Sequence, residues 1–513
     1  MTLRARAALT AAVAAVTVSV TVAGCGAVAT WHPARSSTEA GSAINWRLCG
    51  SDARKINRQL PAGLEVHCGV VEVPQDWNTA KDGKAPDGKT FELSLMRVRS
   101  ERQANRIGSL LLNPGGPGGS GVELAAHLSG RVPKLLERFD LIGFDPRGVG
   151  RSKPPVDCIS TEDLDASFGY EPDPVSDAAY QGAVALYRRI AEGCEQKHGQ
   201  TLSLYSTEQS ARDIDAIRAA VGDEKLSYLG FSYGTLLGAV YANLFPRNIR
   251  AMVLDGAVDP QQSSVISSEG QARGFELAFS NFEKWCKANT GSCPIAPNPR
   301  AAVQSVMDTA RRSPVKGPDG REATSGWVLT SVVLAMYSAD YWEPFANSVA
   351  LLRRGDAALT FVLADAYASR ENGEYTNMFD AFNAINCVDS DQHPTVEDIR
   401  RLKSQWRAKY PLFGPALAIG LLNCAVWPAK KDPYPVGPAT GSPPIVVVGT
   451  TGDPATPYES TAKLSNLLGT GTVVTWEGEG HTAYPETACI RNAVERYLID
   501  LQKPAAGLTC PAS

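Results

Sequence analysis

The strongest constraint on the fold comes from the sequence Gly-Phe-Ser-Tyr-Gly at residues 230–234, which lies between a strand-like stretch and a helical one. Residues 226–231 have the character of a short buried strand, and apolar residues recur at helical spacing from Leu236 to Leu244. In such a turn the serine hydroxyl stands above a parallel sheet, and the glycines let strand and helix approach closely. The five-residue pattern alone is common, so its position between strand and helix carries the prediction that Ser232 is a nucleophile.

A serine hydroxyl becomes reactive when a base removes its proton and a third group holds that base. Two histidines follow Ser232 in the chain: His393, in a region of helical pattern, and His481, just after the strand-like residues 472–476. Because the base of this arrangement belongs in the loop after the last strand, we predict that His481 is the base. A loop histidine without a role is the alternative.

The acid that holds the base is expected at the end of the preceding strand. Asp453 follows the apolar run 445–449, and two prolines stiffen its loop. A carboxylate there can hold one tautomer of the imidazole and stabilise its charged form. Asp255, at the end of another strand-like run, is the rival candidate. Thr456 either supports Asp453 through its hydroxyl or only shapes the turn.

A glycine-rich loop, residues 113–121, follows the strand-like residues 109–112 and is predicted to form part of an oxyanion hole. The backbone amides of Gly116 and Tyr233 are the predicted donors, and Gly115 is the alternative to Gly116. A flexible turn or a phosphate-binding loop would have a similar composition. No Gly-Lys-Ser/Thr follows the glycines, which argues against a phosphate loop.

A further turn, residues 145–152, follows the strand-like residues 141–144 and could line the same cleft. Arg147 could then reach a carboxylate of the substrate. We favour a structural role, with Arg147 in an internal ion pair, because the glycines of this turn suit backbone geometry and nothing in the spacing demands catalysis.

Five segments together resemble one family. They are Asn-Pro-Gly-Gly-Pro-Gly at 113–118, Asp-Pro-Arg-Gly-Val-Gly-Arg-Ser at 145–152, Gly-Phe-Ser-Tyr-Gly at 230–234, Asp-Pro-Ala-Thr-Pro at 453–457, and the pair Gly480-His481. With them the chain resembles the secreted tripeptidyl aminopeptidase family of actinobacteria, α/β-hydrolase serine peptidases related to proline iminopeptidases. The resemblance implies an exopeptidase that removes short peptides from a free N-terminus, with a helical lid over the site. Proline iminopeptidases have histidine at the position of Pro114, which favours the tripeptidyl branch.

The order of strand-like and helical segments predicts an α/β-hydrolase fold, with a mostly parallel sheet and helices on both faces. Residues 46–258 and 441–513 are assigned to the core. Residues 259–440, where helical periodicity replaces the strand pattern, are assigned to an inserted helical lid. A separate helical domain in tandem is the alternative, but the sheet needs the chain to return for its acid and base.

A lid can make an exopeptidase by closing one end of the cleft and placing carboxylates where the substrate ammonium arrives. Asp389 and Asp391 are the predicted amine-binding residues because Cys387 could fix their loop. An ordinary solvated acidic turn is the alternative.

The amino end has the features of a secretion signal, with two arginines before an apolar stretch at residues 7–22. Its last four residues, Val-Ala-Gly-Cys, resemble the bacterial lipobox, which implies removal of a signal peptide over residues 1–25 and lipidation of Cys25. Ordinary cleavage with an incidental cysteine is the alternative, since valine replaces the usual leucine. Residues 26–45 are predicted to be a flexible spacer. The expected location is outside the cell, either lipid-anchored at the membrane or secreted.

Cysteine usage agrees with export. Of eleven cysteines, ten remain if Cys25 is lipidated, an even number that suits disulfides in an oxidising compartment. Proximity favours the pairs Cys49 with Cys68, Cys158 with Cys194, Cys286 with Cys293, Cys387 with Cys424, and Cys489 with Cys510, although spacing does not fix connectivity. No Cys-x-x-Cys pair or histidine-rich cluster occurs, so no metal or other cofactor is expected.

The charge and the motifs together limit the expected partners. A net charge of −4 gives no electrostatic reason to expect nucleic acid. Peptides or proteins with a free N-terminus are the expected substrates, and membrane contact is expected only through a lipidated N-terminus. Three functions fit: a serine exopeptidase that releases tripeptides, an esterase or lipase with the same triad, and a non-catalytic binding protein of the cell envelope.

Overall fold

The computed structural model describes residues 44–49, 60–103 and 105–513 of the chain. The predicted signal peptide over residues 1–25, with Cys25, lies outside these residues, and so does the predicted spacer up to residue 43. Among the described residues, no helix combines the length and the apolar character needed to span a lipid bilayer.

The strands of the described residues form one large sheet and two small ones. They are β1 (Arg47–Leu48), β2 (Leu64–Pro74), β3 (Thr90–Ser100), β4 (Gly108–Asn113), β5 (Phe139–Phe144), β6 (Leu226–Phe231), β7 (Ile249–Asp255), β8 (Val315–Lys316), β9 (Glu322–Ala323), β10 (Arg370–Glu371), β11 (Glu374–Tyr375), β12 (Ile445–Gly452), β13 (Gly471–Glu479) and β14 (Leu508–Cys510). The large sheet has ten strands in the order β1-β2-β3-β5-β4-β6-β7-β12-β13-β14. The pairs β1–β2, β2–β3 and β3–β5 are antiparallel, and the other neighbours are parallel. The prediction of a mostly parallel sheet is confirmed.

Helices occupy the connections. They are α1 (Gly121–Ser129), α2 (Pro133–Leu136), α3 (Thr161–Gly169), α4 (Asp177–His198), α5 (Thr207–Ala220), α6 (Tyr233–Leu244), α7 (Ser264–Ala288), α8 (Pro299–Arg312), α9 (Ser325–Tyr337), α10 (Trp342–Leu352), α11 (Ala358–Ala368), α12 (Met378–Val388), α13 (Val396–Lys409), α14 (Gly414–Gly420), α15 (Leu422–Ala425), α16 (Glu459–Leu468) and α17 (Ala488–Asp500). Alternate residues of β4 face different helices. Leu111 packs in a cluster with residues of α4, α5 and α6, whereas Leu110 and Leu112 pack with residues of α1, α2 and α17. Helices therefore cover both faces of the sheet, as predicted.

The central strands explain why the sequence forms this sheet. Every residue of β4, β5 and β6 is buried, because a parallel sheet covered on both faces needs apolar side chains on both sides. The carboxyl ends of parallel strands meet at one edge of a sheet, where α/β proteins bind their ligands. At this edge Ser232 follows β6, Asp255 ends β7, Asp453 follows β12, and His481 comes shortly after β13.

Residues 256–444, between β7 and β12, form an insertion in which helices α7 to α15 predominate. Helices α7 to α11 share a buried apolar cluster of their own. Two hairpins, β8–β9 and β10–β11, interrupt the helices, which differs from the prediction of a helical segment without strands. Strands of two residues are too short to show an alternating pattern. The exact lid boundaries at residues 259 and 440 stay a prediction.

Five disulfides join the ten cysteines of the described residues, and their pairing is the one that proximity favours. The bond between Cys49 and Cys68 connects β2 to the residue after β1. Another bond, between Cys387 and Cys424, ties α12 to α15 within the insertion. All five disulfides therefore hold segments outside the central strands β4, β5, β6, β7 and β12.

Candidate active site

The turn between β6 and α6 holds Ser232 in a strained backbone conformation, with φ 55° and ψ −125°. Such a conformation costs a residue other than glycine about 1–3 kcal/mol and persists only where the surroundings enforce it. A Cβ at Gly230 would overlap the carbonyl oxygen of Gly234, and one at Gly234 would lie 2.8 Å from Asn113 Oδ1. The close approach of strand, helix and glycine-rich loop therefore requires glycine on both sides of the serine turn.

His481 and Asp453 are in direct contact. His481 Nδ1 lies 2.9 Å from Asp453 Oδ1 and 3.0 Å from Oδ2. An ionised carboxylate only accepts hydrogen bonds, so Nδ1 carries the hydrogen and Nε2 keeps its lone pair. The structure thus brings together the two residues that were predicted as base and acid, in the tautomer that leaves Nε2 free to accept a proton.

The electrostatic surroundings of His481 favour its charged form. Burial alone lowers the pKa of His481, but the charge of Asp453 and the hydrogen bond to it, with a smaller contribution from Asp255, raise the pKa above its ordinary value. A positive charge that develops on this imidazole is therefore stabilised where it forms.

Asp453 is only 2% exposed, and several donors hold its carboxylate in place. Oδ1 accepts the backbone N–H of Ala455 at 2.9 Å and that of Thr456 at 2.8 Å. Oδ2 accepts the Thr456 hydroxyl at 2.9 Å and the Thr482 amide at 3.2 Å. Of the two uses predicted for Thr456, the hydroxyl contact with Asp453 is present, and its oxygen also lies 3.4 Å from His481 Nδ1.

Asp255, the rival candidate for the acid, has a different set of partners. Its carboxylate accepts the backbone N–H groups of Ala483 at 3.0 Å and Tyr484 at 2.7 Å, and its own carbonyl oxygen accepts that of Ser232 at 2.8 Å. Asp453 holds the imidazole, whereas Asp255 holds the loop that follows it.

The glycine-rich loop lies against the serine turn. A Cβ on Gly115 would come within 2.9 Å of both Ser232 Cβ and the Tyr233 nitrogen. The Gly115 amide is already used, because it donates to Asn113 Oδ1 at 3.0 Å. Among the described residues, the amides of Gly116 and Tyr233 have no hydrogen-bond acceptor. Gly116 therefore fits the predicted donor role better than Gly115.

The two acidic residues predicted to bind the substrate amine are not placed alike. Asp389 is buried and faces Thr207: its oxygens accept the Thr207 amide at 2.8 Å and the Thr207 hydroxyl at 2.6 Å. Asp391 is exposed to solvent. The two carboxylates do not form a pair, because Asp389 faces Thr207 and Asp391 lies on the surface, and their binding of the substrate amine stays a prediction. The sequence did not reveal which direction each carboxylate faces.

Tyr337, at the end of α9 in the insertion, contacts the imidazole and was not predicted. Its ring lies edge-on to the His481 ring with centroids 5.2 Å apart, and its carbonyl oxygen accepts the His481 backbone N–H at 2.8 Å. A tyrosine within an apolar helical pattern has no feature that distinguishes it from a core residue.

Arg147 has a structural partner, and the described residues offer no cluster of metal ligands. Arg147 is fully buried and pairs with Asp213, with Nη2 2.6 Å from Oδ1 and Nε 2.8 Å from Oδ2, which is the predicted internal ion pair. Within the described part of the chain, no group of three or more His, Cys, Asp or Glu side chains is placed to hold a metal ion.

A mostly parallel sheet with a strained serine, an acid and a histidine at the ends of neighbouring strands defines the α/β-hydrolase class.

Comparisons with known proteins agree with the assignment to this class. Residues 410–510 match the family model described as TAP-like protein. The chain is 36% identical to serine protease Hip1 of Mycobacterium tuberculosis, over 96% of each chain. It is 32% identical to tripeptidyl aminopeptidase of Streptomyces lividans, over 91% of this chain and 86% of that one. The chain belongs to the tripeptidyl aminopeptidase family, and the protein is a serine hydrolase.

Two further similarities were found. The chain is 35% identical to carboxylesterase B of Mycobacterium tuberculosis, over 87% of this chain and 86% of that protein. Among solved structures, proline iminopeptidase of Mycobacterium smegmatis matches 84% of this chain and 97% of its own, with 15% identity and a TM-score of 0.38.

Proposed function

We propose that the protein is an exported serine exopeptidase that releases short peptides, above all tripeptides, from free N-termini. The observation that carries this proposal is the contact of His481 with Asp453, at the same edge of the sheet as the strained turn at Ser232. Similarity to proteins named serine protease and tripeptidyl aminopeptidase supports a peptide substrate.

In the proposed reaction, Ser232 Oγ attacks the scissile carbonyl carbon while His481 Nε2 takes the hydroxyl proton. Asp453 stabilises the resulting imidazolium, and the amides of Gly116 and Tyr233 donate to the oxyanion. His481 then gives the proton to the leaving amine, and an acyl-enzyme remains on Ser232. Water attacks this ester by the same route and frees the peptide acid and the serine.

Export is the second part of the proposal, with residues 1–25 as signal peptide and Cys25 as the lipidation site. The five disulfides support it, since disulfides persist in oxidising compartments. Mass spectrometry of the mature N-terminus should find a lipid-modified Cys25. A mature chain that begins elsewhere without lipid would contradict lipidation, and an uncleaved chain would contradict export.

A panel of chromogenic tripeptidyl amides with free and blocked N-termini tests the activity. We expect turnover of the free-amine substrates alone. Ser232→Ala should abolish turnover without loss of folding, whereas Ser305→Ala, an exposed serine in the insertion, should not change it. Unchanged hydrolysis by Ser232→Ala would rule out the proposed triad.

An esterase is the second candidate, because the chain resembles a protein named carboxylesterase B and an ester needs the same three groups. A short-chain p-nitrophenyl ester in the same panel separates the two functions. Hydrolysis of the ester with no peptide turnover would favour the esterase.

A further inference from the structure

A cavity of about 260 Å³ lies between core residues 159–190 and the insertion. Its walls are mostly apolar and aromatic. Leu329 and Val333 contribute from α9, and Phe379 and Phe382 from α12. Pockets of this kind, with few polar groups among apolar walls, are typical of small-ligand sites.

Two helices that wall the cavity, α9 and α12, also contact the candidate active site or its glycine-rich loop. Tyr337 follows Val333 by one turn on the same face of α9, and its ring packs against His481. The Tyr337 ring also lies against the ring of Tyr367, which lines the cavity, with centroids 5.9 Å apart. On the other side, Gly118 of the glycine-rich loop directly contacts the first turn of α12, which carries further wall residues. Tyr337 therefore lies between the cavity wall and the His481 imidazole, and the first turn of α12 connects the wall to the predicted oxyanion loop.

The length of the cavity matches a short peptide. Its wall on α9 runs from Val333 back to Gly326, seven residues that span about 10 Å at the helical rise of ~1.5 Å per residue. Three extended residues span about 10 Å as well. A tripeptidyl group attached to Ser232 could therefore lie along this face of α9.

Glu171 lies at the far end of the cavity. It accepts the Ser325 hydroxyl at 2.6 Å, the Arg311 guanidinium at 3.0 Å and the Asp173 amide at 3.0 Å, which uses the acceptor positions of its carboxylate. A leaving polypeptide has no fixed length. A cavity with a wall about 10 Å long suits the short acyl side of the substrate instead.

Asn383 is a polar side chain on the wall that is placed to bind a ligand. It is 7% exposed, it lines the cavity, and its amide has no hydrogen-bond partner among the described residues. Two other polar wall groups are engaged, since Thr330 donates to the Gly326 carbonyl and Asn423 to that of Gly420. A peptide group, with one donor and one acceptor, is the natural complement of a free side-chain amide.

We infer that this cavity receives the acyl side of the peptide substrate and that the Asn383 side-chain amide binds its main chain, an inference that rests on the proposed peptidase function. A peptide satisfies this amide, whereas a short alkyl acyl group does not reach it. Asn383 therefore distinguishes peptide substrates from simple esters.

The test compares kcat/KM for an apolar tripeptidyl p-nitroanilide with a free amine to kcat/KM for p-nitrophenyl acetate. Asn383→Leu should lower the ratio of the two about 10- to 100-fold, because the peptide group is then buried without a partner. The matched control is Asn386→Leu, on the same helix, whose amide donates to the Phe382 carbonyl and does not line the cavity. This control should change the ratio less than about 2-fold.

Leu329→Trp is a second variant that fills the cavity two turns away from Tyr337, and it should lower the same ratio. Val362→Trp, at an exposed position, is its control. Unchanged ratios in Asn383→Leu and Leu329→Trp, with peptide turnover in the unaltered protein, would overturn this inference alone. Absence of peptide turnover in the unaltered protein would overturn the proposed function together with it.

Discussion

The carboxylate of Asp255 accepts the backbone N–H of Tyr484 at 2.7 Å. Through its own carbonyl oxygen the same residue accepts the backbone N–H of Ser232 at 2.8 Å. One fully buried residue at the end of β7 therefore fixes the serine turn and the loop after His481 relative to each other. The relative position of the proposed nucleophile and base depends on this acid, although Asp453 is the one that contacts the imidazole.

Asp255 should make stability depend on pH. Burial raises the pKa of Asp255 to about 7, although the amides of Tyr484 and Ala483 favour its charged form. The unfolded chain ionises this carboxyl near pH ~4, so between about pH 4 and 7 the folded protein holds a proton that the unfolded chain has lost. The contribution of Asp255 to the free energy of unfolding is therefore fully present at low pH and declines as the pH rises to 7.

Asp255→Asn should flatten this decline, which is at most about 1.4 kcal/mol per pH unit for one proton. Urea unfolding of both proteins between about pH 4 and 8, with the disulfides intact, measures how the free energy of unfolding changes with pH. Equal pH slopes for the two proteins would contradict the assignment of a raised pKa to Asp255.

Asp453→Asn should impair the base rather than the fold. The Asn side chain can present its NH₂ to His481 Nδ1, which stabilises the wrong tautomer, and kcat should fall by about 10⁴-fold. In the unaltered protein the acidic limb of kcat/KM should have its midpoint above ~6.5, since the pKa of His481 is raised and the base must be neutral to accept a proton. A pH–rate profile for hydrolysis of a peptide amide measures both the loss of kcat in Asp453→Asn and the midpoint of the acidic limb. A midpoint below the ordinary histidine value would contradict the electrostatic role of Asp453.

Much of the sheet and the serine turn could be predicted because their patterns are local. The strands β4, β5 and β6 are short, largely apolar runs, and Gly230 is required by a contact with Gly234 within the same turn. Asp453 and His481 could be proposed, and their contact anticipated, because the hydrolase class places its acid and base after particular strands.

The parts that escaped prediction depend on packing between distant segments. Tyr337 reaches His481 only because α9 folds over the sheet, and Asp389 faces Thr207 only because the end of α12 meets the start of α5. The hairpin β10–β11 did have a local feature, the pair Asn372-Gly373 with φ 53° and 88°, which is typical of a two-residue hairpin turn. Its strands of two residues were too short to support that feature with an alternating pattern.

Thr456 should contribute to activity through its hydroxyl. Thr456→Val removes the hydrogen bond to Asp453 Oδ2, which leaves a buried carboxylate with one donor fewer beside the imidazole. We expect kcat to fall about 10-fold, a loss of the order of one hydrogen bond to a charged group. Thr456→Ser keeps the hydroxyl and should restore most of the activity. Steady-state kinetics on one peptide amide measures kcat for both variants. Equal losses of kcat in Thr456→Val and Thr456→Ser would show that only the shape of the turn matters.

A buried chain of hydrogen bonds supports the residue after the nucleophile. The Tyr233 hydroxyl lies 2.5 Å from Thr207 Oγ1, and Thr207 donates to Asp389 Oδ2 at 2.6 Å. Because the Thr207 hydroxyl has one hydrogen and gives it to the carboxylate, Tyr233 must be the donor to Thr207. Asp389 thus supports Tyr233 through the Thr207 hydroxyl.

Thr207→Val should break this chain and leave the Tyr233 hydroxyl buried without an acceptor. We expect the free energy of unfolding to fall by about 1–3 kcal/mol. In a Tyr233→Phe background, Thr207→Val should lower the free energy of unfolding by less, because no hydroxyl is then left unpaired. The difference between the two losses is the coupling energy of Thr207 and Tyr233. Denaturant unfolding of the four proteins gives that coupling, with Thr207→Ser as the control that keeps the hydroxyl. Additive losses in the double variant would show that the Tyr233 hydroxyl gains nothing from Thr207.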